Sequence, residues 1–392
     1  RIDPELGTMD DFRRLVRIAH SKGLAVVAFI NIGYFSVEAS DWIEACESGD
    51  SEKAKWFSWA GRADVPPPGA EDAQFYVDNS PPGDPQEKEE TWGWQYSKRA
   101  RGYYWARWRA KDEEGNWVGL PQTNWASEEW PKEAERIVRF WMDTGIDGML
   151  IDAPLFYTGL TWGKARRHIS GVIAGYGNAY IQPEGGRDQA WITEGGFNSI
   201  QDYGMRLWGG KWQRNSIISA LETGDPRPIE ESLRNYHDQM VEVGAVLYHN
   251  VHRIEDASKR HLERATVAGI GDILAYSRVV GEPDAEETWI LKTRQLHPAL
   301  HPLGRRRKLP TRADDKHYAF LRTAVDGSER VLVVLNFQPE PQTVEVDLSG
   351  VAAAGLVELR YGELFERRGF FKVELPAYGY RFYQVVPVEE LS

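Results

Sequence analysis

One cysteine, Cys46, is the only thiol in 392 residues. That excludes an internal disulfide framework and suits a reducing, cytoplasmic compartment. No apolar stretch is long enough to span a bilayer. No signal-peptide pattern opens the sequence either, but its first residues read as the middle of a fold, so export stays open. Positive charge is scarce: 47 Lys and Arg against 59 Asp and Glu give a net charge of -12. Such a balance repels nucleic acid and anionic membrane surfaces. The single basic run, Arg305-Arg306-Arg307-Lys308, reads as a solvated loop. Nothing in the composition fixes an oligomeric state.

What is present describes a soluble chain able to bury a sizeable core, 42% hydrophobic and 27% charged. Its length suits one large domain and a smaller one. Aromatics are abundant, with 16 Trp and 17 Tyr, and they crowd between Trp92 and Trp130. Flat side chains with a polar edge stack on sugar rings and also pack cores. For any one of them, core packing is the simpler reading.

The chain is organised around Gly145-Ile146-Asp147-Gly148-Met149-Leu150-Ile151-Asp152-Ala153-Pro154. Ala134, Ile137, Val138, Trp141 and Met142 recur at helical spacing before it, and Gly145 can close that helix in the left-handed conformation. A short buried strand over 146–151 then ends on a carboxylate. Chemistry in parallel α/β folds sits at the carboxyl ends of strands, which favours Asp152 as a functional group; a helix cap is the bland alternative. Upstream, Thr8 and Asp11 form a capping box, and Phe12, Leu15, Val16 and Ala19 mark a buried helix face. An apolar strand over 24–30 reads as buried on both faces.

Residues 37–125 interrupt the alternation, with Pro66-Pro67-Pro68-Gly69 and Ser80-Pro81-Pro82-Gly83-Asp84-Pro85 breaking regular structure. So long an excursion is suited to walling a substrate cleft. Helix and strand then alternate again. One strand covers 190–193 and ends at Glu194; others cover about 216–220, 244–248 and 272–276. This pattern predicts a parallel (β/α)8 TIM barrel over 1–302, with the excursion as a loop-rich insertion after its third strand. From about residue 310 the pattern turns to period two, predicting a C-terminal antiparallel β-sandwich over 303–392.

Two carboxylates on neighbouring barrel strands, Asp152 and Glu194, suit retaining glycoside hydrolysis. The residues around them sharpen this. Ile2-Asp3-Pro4-Glu5-Leu6-Gly7-Thr8-Met9-Asp10-Asp11-Phe12 and Ala19-His20-Ser21-Lys22-Gly23-Leu24 closely resemble the helix before the third strand in the α-amylase family, glycoside hydrolase family 13. Trp56-Phe57-Ser58-Trp59, Gly102-Tyr103-Tyr104-Trp105 and Leu120-Pro121-Gln122-Thr123-Asn124-Trp125 look like its oligo-1,6-glucosidase and trehalose-synthase branch. The resemblance implies Asp152 as nucleophile within 145–153, and Glu194 as acid/base within Trp191-Ile192-Thr193-Glu194-Gly195-Gly196. It implies an oligosaccharide or small glycoside as substrate and no organic cofactor. Calcium occurs in parts of the family, yet no loop here has an obvious ligand spacing, so no metal site is expected.

Departures from the family pattern are as informative. Leu150 stands where an Arg orients the nucleophile, and Phe29, Gly33 and Tyr34 replace an Asp, an Asn and a His. After the seventh strand His249-Asn250-Val251-His252-Arg253 replaces Asn-His-Asp, with His252 at the catalytic Asp position. One reading is a site rebuilt for a different sugar, with Tyr34, Trp125, His249 and Arg253 as substrate contacts. The other is an inactive amylase-fold protein that binds carbohydrate or a protein partner, its histidines being structural. The resemblance begins at the helix before the third strand, so either upstream residues or another segment supplies the first two strands.

Overall fold

Thr8 starts the first helix as the capping box requires: its hydroxyl accepts from Asp11 N at 3.2 Å and Asp11 Oδ2 accepts from Thr8 N at 2.9 Å. The computed structural model describes residues 2–60, 92–111, 117–152, 154, 162–184, 189–201, 215–277, 280–366 and 369–388. The two Pro-Gly breaks of the excursion lie outside the described residues. Packing divides the chain into two units, residues 1–186 with 190–198 and residues 187–189 with 199–392. The expected boundary near 302 marks a change from helices to antiparallel strands, whereas this division falls earlier, inside the strand-helix alternation.

In the first unit α1 (Met9–Ser21) leads to β1 (Val27–Ile30) and α2 (Ser40–Glu47). Three antiparallel strands follow, β2 (Trp92–Ser97), β3 (Gly102–Lys111) and β4 (Trp117–Pro121). Then come α3 (Glu129–Met142), β5 (Gly148–Ile151), α4 (Trp162–Ala174), β6 (Tyr180–Pro183) and the short α5 (Ala190–Thr193). Gly145 lies at φ +90° just after α3, a conformation cheap only for glycine. Strands β1, β5 and β6 form a parallel sheet with β5 central.

The strand over 24–30 was expected to be buried on both faces, and it is not. Phe29 is 60% exposed and Val27 41%, because β1 is an edge strand of this sheet among the described residues. The α1 face is likewise partial: Val16 is buried but Leu15 is 54% exposed. The aromatic excursion forms a core of its own, in which Trp42 stacks on Trp59 at 5.0 Å and meets Phe57 and Tyr104 edge-on.

The second unit opens with β7 (Ser199–Gln201), α6 (Ser216–Thr223), α7 (Arg227–Ser232), α8 (Asp238–Glu242), β8 (Val246–Asn250), α9 (Ala257–Ile270), β9 (Ile273–Ala275) and α10 (Ala285–Leu296). Strands β7, β8 and β9 form a second parallel sheet. Residues 216–220, expected as a strand, are helical. Asn215 accepts from Ile217 N and Ile218 N, and Gly224 closes the helix in the left-handed region, so caps at both ends override the β-branched run.

Eight antiparallel strands follow: β10 (Arg305–Leu309), β11 (His317–Thr323), β12 (Arg330–Asn336), β13 (Gln342–Asp347), β14 (Gly355–Glu358), β15 (Leu364–Glu366), β16 (Phe370–Leu375) and β17 (Tyr380–Val386). Six form one sheet in the order β10-β11-β12-β17-β14-β15, and β13 pairs with β16. Ala319, Leu321, Leu332 and Val334 pack against Val344, Val346, Phe371 and Val373 of the smaller sheet. Alternate residues Tyr318, Phe320, Val331 and Val333 pack on the other side with Leu262, Ala265 and Ile290 of α9 and α10. Burial on both faces explains why residues 318–321 of β11 and 331–335 of β12 form unbroken apolar runs.

The basic run 305–308 is not a solvated loop but strand β10. Arg306 is turned inward, donating to Glu230 Oε2 at 2.6 Å, Asp238 Oδ2 at 2.6 Å and the Tyr318 hydroxyl at 2.9 Å. Both acids keep partial solvent contact, so the Arg306→Met variant is expected to lose about 2–3 kcal/mol, the low side of breaking a buried pair. A lower urea midpoint at unchanged m-value checks this.

Candidate active site

Strand register builds the site in the first unit. Ile30, Ile151 and Pro183 are aligned across β1, β5 and β6, so Asn31, Asp152 and Glu184 emerge together at the carboxyl ends. Asp152 N donates to Ile30 O at 2.8 Å and Glu184 N to Ile151 O at 2.7 Å, so the ladder continues through both acids. Parallel neighbours lie roughly 4.8 Å apart, which sets the Asp152 and Glu184 backbones side by side.

Asp152 is 8% exposed. Tyr34 donates its hydroxyl to Asp152 Oδ2 at 2.8 Å. The loop carrying Tyr34 is fixed from within and from β4. Asn31 Oδ1 accepts from Gly33 N at 2.9 Å and Tyr34 N at 3.3 Å, Phe35 N donates to Pro121 O at 2.9 Å and Thr123 N to Gly33 O at 2.9 Å. The excursion therefore holds the loop carrying Tyr34, through the end of its last strand. Burial pushes the Tyr34 phenol well above its usual pKa, followed by the hydrogen bond to Asp152 and the charges of Asp152 and Glu184. It remains a neutral donor, and the Glu184 charge is close enough to act on it.

The aligned residues Phe29, Leu150 and Gln182 form the next row down on the same sheet face. No cation stands there in place of the Arg that the resemblance calls for. Gln182 supplies an amide: Tyr180 donates its hydroxyl to Gln182 Oε1, while Nε2 has no hydrogen-bond partner among the described residues and the side chain is 3% exposed. An unpaired buried amide costs about 1–3 kcal/mol, and this one lies beside Leu150 below Asp152.

Glu194, expected at a strand end, is elsewhere. Residues 190–193 form helix α5, with Glu194 N donating to Ala190 O at 3.0 Å. Asn198 bonds Ala179 O and Ile181 N, both at 2.8 Å, at the start of β6, and Ser170 donates to Gly195 O at 2.6 Å. This segment returns along the amino ends of the sheet, and Glu194 itself is exposed. The run Ala-Trp-Ile-Thr coils because Trp191 buries its ring while Gly195 and Gly196 end the turn, Gly196 at φ +74°. Sequence reading missed Glu184, although Tyr180-Ile181-Gln182-Pro183-Glu184 repeats the pattern of Gly148-Met149-Leu150-Ile151-Asp152, a short apolar strand ending in an acid.

Trp125, expected at the sugar site, is 3% exposed and meets Trp130 edge-on at 6.3 Å. Its ring belongs to the core, where Trp56, Trp130 and Phe35 pack.

The remaining expected residues belong to the second unit. His249 on β8 is buried, its pKa pushed down to about 4 by burial against the opposing pull of Glu263, so it is neutral at physiological pH. Asn215 Nδ2 lies 3.3 Å from its Nε2. His252 Nδ1 is 2.5 Å from Oε1 of the fully buried Glu263, and 40% of its side chain is exposed. Arg264 pairs with the other oxygen of Glu263 and donates to His252 O at 2.9 Å. Arg253 is 67% exposed beside Glu255, on a cavity of about 170 Å³ that Arg260, Glu282, Asp284 and Glu287 also line. Asp256 caps α9, accepting from Lys259 N at 3.0 Å.

Residues 1–167 match the family model for the alpha amylase catalytic domain, and residues 309–382 match the maltogenic amylase C-terminal domain. Over these two stretches the chain is similar to the α-amylase family. Among curated proteins, the α-glucosidase of Schizosaccharomyces pombe is 26% identical over 155 residues, which are 39% of this chain and 24% of that protein. The oligo-1,6-glucosidase of Heyndrickxia coagulans is 27% identical over 159 residues, again 39% and 24%. The matched stretch thus spans about a quarter of the length of these two relatives. The solved α-amylase from H. orenii superposes with a TM-score of 0.74 at 16% identity, covering 98% of this chain and 85% of that one. The fold is accordingly the α-amylase TIM barrel with a C-terminal antiparallel domain.

Proposed function

We propose that the chain is a retaining glycoside hydrolase or transglycosylase acting on short α-glucosides or a related modified sugar. Asp152 attacks the anomeric carbon while Glu184 protonates the leaving oxygen; Glu184 then deprotonates water or an acceptor hydroxyl to release the sugar. The observation that carries this reading is the aligned pair of strand ends, which puts the Asp152 and Glu184 backbones side by side; retaining chemistry needs the two carboxyl groups roughly 5–5.5 Å apart. The curated relatives named α-glucosidase and oligo-1,6-glucosidase support the substrate class. Two carboxylates suffice for the bond changes, so the chemistry calls for no cofactor.

Tyr34 takes over part of the orienting task that Leu150 cannot perform. A hydrogen bond to a charged group contributes about 1.5–3 kcal/mol, so Tyr34→Phe is expected to lower kcat roughly 10- to 100-fold with a smaller change in KM. Steady-state kinetics on an aryl α-glucoside checks this; unchanged kcat would remove Tyr34 from the reaction. The uncharged row of Phe29, Leu150 and Gln182 favours one alternative, an inactive carbohydrate-binding barrel. A folded wild type that binds maltose or isomaltose by calorimetry and turns over no glucoside would select it.

A further inference from the structure

We propose that His249, His252 and Glu263 form a binding site for one divalent transition-metal ion of the zinc class. Two imidazoles and a carboxylate are a ligand set that zinc takes readily, with an open position left for water. Their donor atoms all lie within 4.8 Å of one another. Ligands at about 2.0–2.2 Å from a tetrahedral zinc lie roughly 3.4 Å apart. The pairs seen here, 2.5 Å for His252 Nδ1 to Glu263 Oε1 and 4.0 Å for His249 Nε2 to the same oxygen, bracket that value, so these two pairs need shifts of under about 1 Å to meet zinc geometry.

The supports are rigid and the outer contacts are in place. His249 is on β8, which pairs with strands on both sides, and Glu263 is in α9. Arg264 engages Glu263 Oε2, leaving Oε1 toward the two rings, and the His252 backbone N also donates to Glu263 at 3.2 Å. Outer-shell partners of this kind fix ligand orientation. The half-exposed ring of His252 gives an ion a way in. Asn215 retains its cap on α6 through Oδ1, so its amide can turn from His249 when the ion enters. The other cluster of ligand-type groups among the described residues, His261, Asp284 and Glu287, is already neutralised. Arg260 donates to Asp284 at 3.0 Å and to Glu287 at 2.9 Å, placing a cation where an ion would sit.

The test uses the full chain without an affinity tag, stripped with chelator and titrated with zinc chloride and separately with cobalt chloride. The expected result is one equivalent bound with a Kd on the order of 1 µM or tighter. Cobalt should give the visible absorption of a four-coordinate nitrogen–oxygen site, and zinc should raise the Tm. His252→Ala should fold, with a metal-free Tm lowered by loss of the contact to Glu263, and bind at least about 10-fold more weakly, while His261→Ala should bind as wild type. Absence of saturable binding, or binding that survives His252→Ala, or binding abolished by His261→Ala, would overturn the assignment.

Discussion

Glu184→Gln is expected to lower kcat/KM on an unactivated α-glucoside by about 10³-fold, within the range that a positioned proton donor contributes. Glu194→Gln is expected to stay within about two-fold of wild type, since a surface change away from the chemistry leaves the barrier unaltered. The contrast follows from the sheet. Glu184 follows Pro183, which is in register with Ile151 just before Asp152, whereas Glu194 follows a helix whose continuation is tied to the amino end of β6. The leaving group sharpens the test. An α-glucosyl fluoride or dinitrophenyl α-glucoside needs little acid assistance, so glycosylation of Asp152 proceeds in the Glu184→Gln variant and the missing base then slows release. Added azide, which needs no base, should restore turnover and yield the α-glucosyl azide. Equal loss in the two variants, or loss confined to Glu194→Gln, would place the acid on α5 instead.

Gly148→Ala should unfold the first unit or lower its stability by at least about 3 kcal/mol. A Cβ at Gly148 would lie 2.0 Å from Tyr180 O and 2.7 Å from the Tyr180 Cβ, contacts that backbone on both sides cannot relieve. Gly148 and Tyr180 are the first aligned pair of β5 and β6, so the ladder that ends at Asp152 and Glu184 begins here. If β5 and β6 separate instead of the unit unfolding, the melting curve changes less and activity falls as far as in Glu184→Gln. Circular dichroism melts read beside kcat distinguish the two. A variant with wild-type Tm and activity would show that the strands are not paired in this register.

Much of this was legible in the residues. The capping box at Thr8, the helix closed near Gly145 and the strand ending at Asp152 all rest on local chemistry, and all are present. The antiparallel C-terminal strands were readable from their turns. The errors came where short apolar runs admit two structures. Residues 216–220 and 190–193 carry β-branched side chains, but an Asn cap and closing glycines made them helical. In the converse case, Tyr180-Ile181-Gln182-Pro183 contains a Pro and a Gln that hide a strand, and so its terminal Glu184 went unnoticed. Arg305 to Lys308 looked solvated because alternation places Arg306 inside only when Glu230 and Asp238, about 70 residues earlier, fold against it. Exposure of Phe29 and burial of Trp125 likewise depend on sheet edge and aromatic packing, which spacing alone does not reveal.

The central claim is that Asp152 is the nucleophile at a strand end shared with Glu184. Incubation with 5-fluoro-α-glucosyl fluoride, followed by proteolysis and mass spectrometry, tests it most directly. The expected result is one glycosyl adduct, on the peptide containing Asp152, formed in wild type and Glu194→Gln and absent in Asp152→Asn. An adduct on another residue, or no adduct on folded wild-type protein that still hydrolyses an α-glucoside, would contradict it.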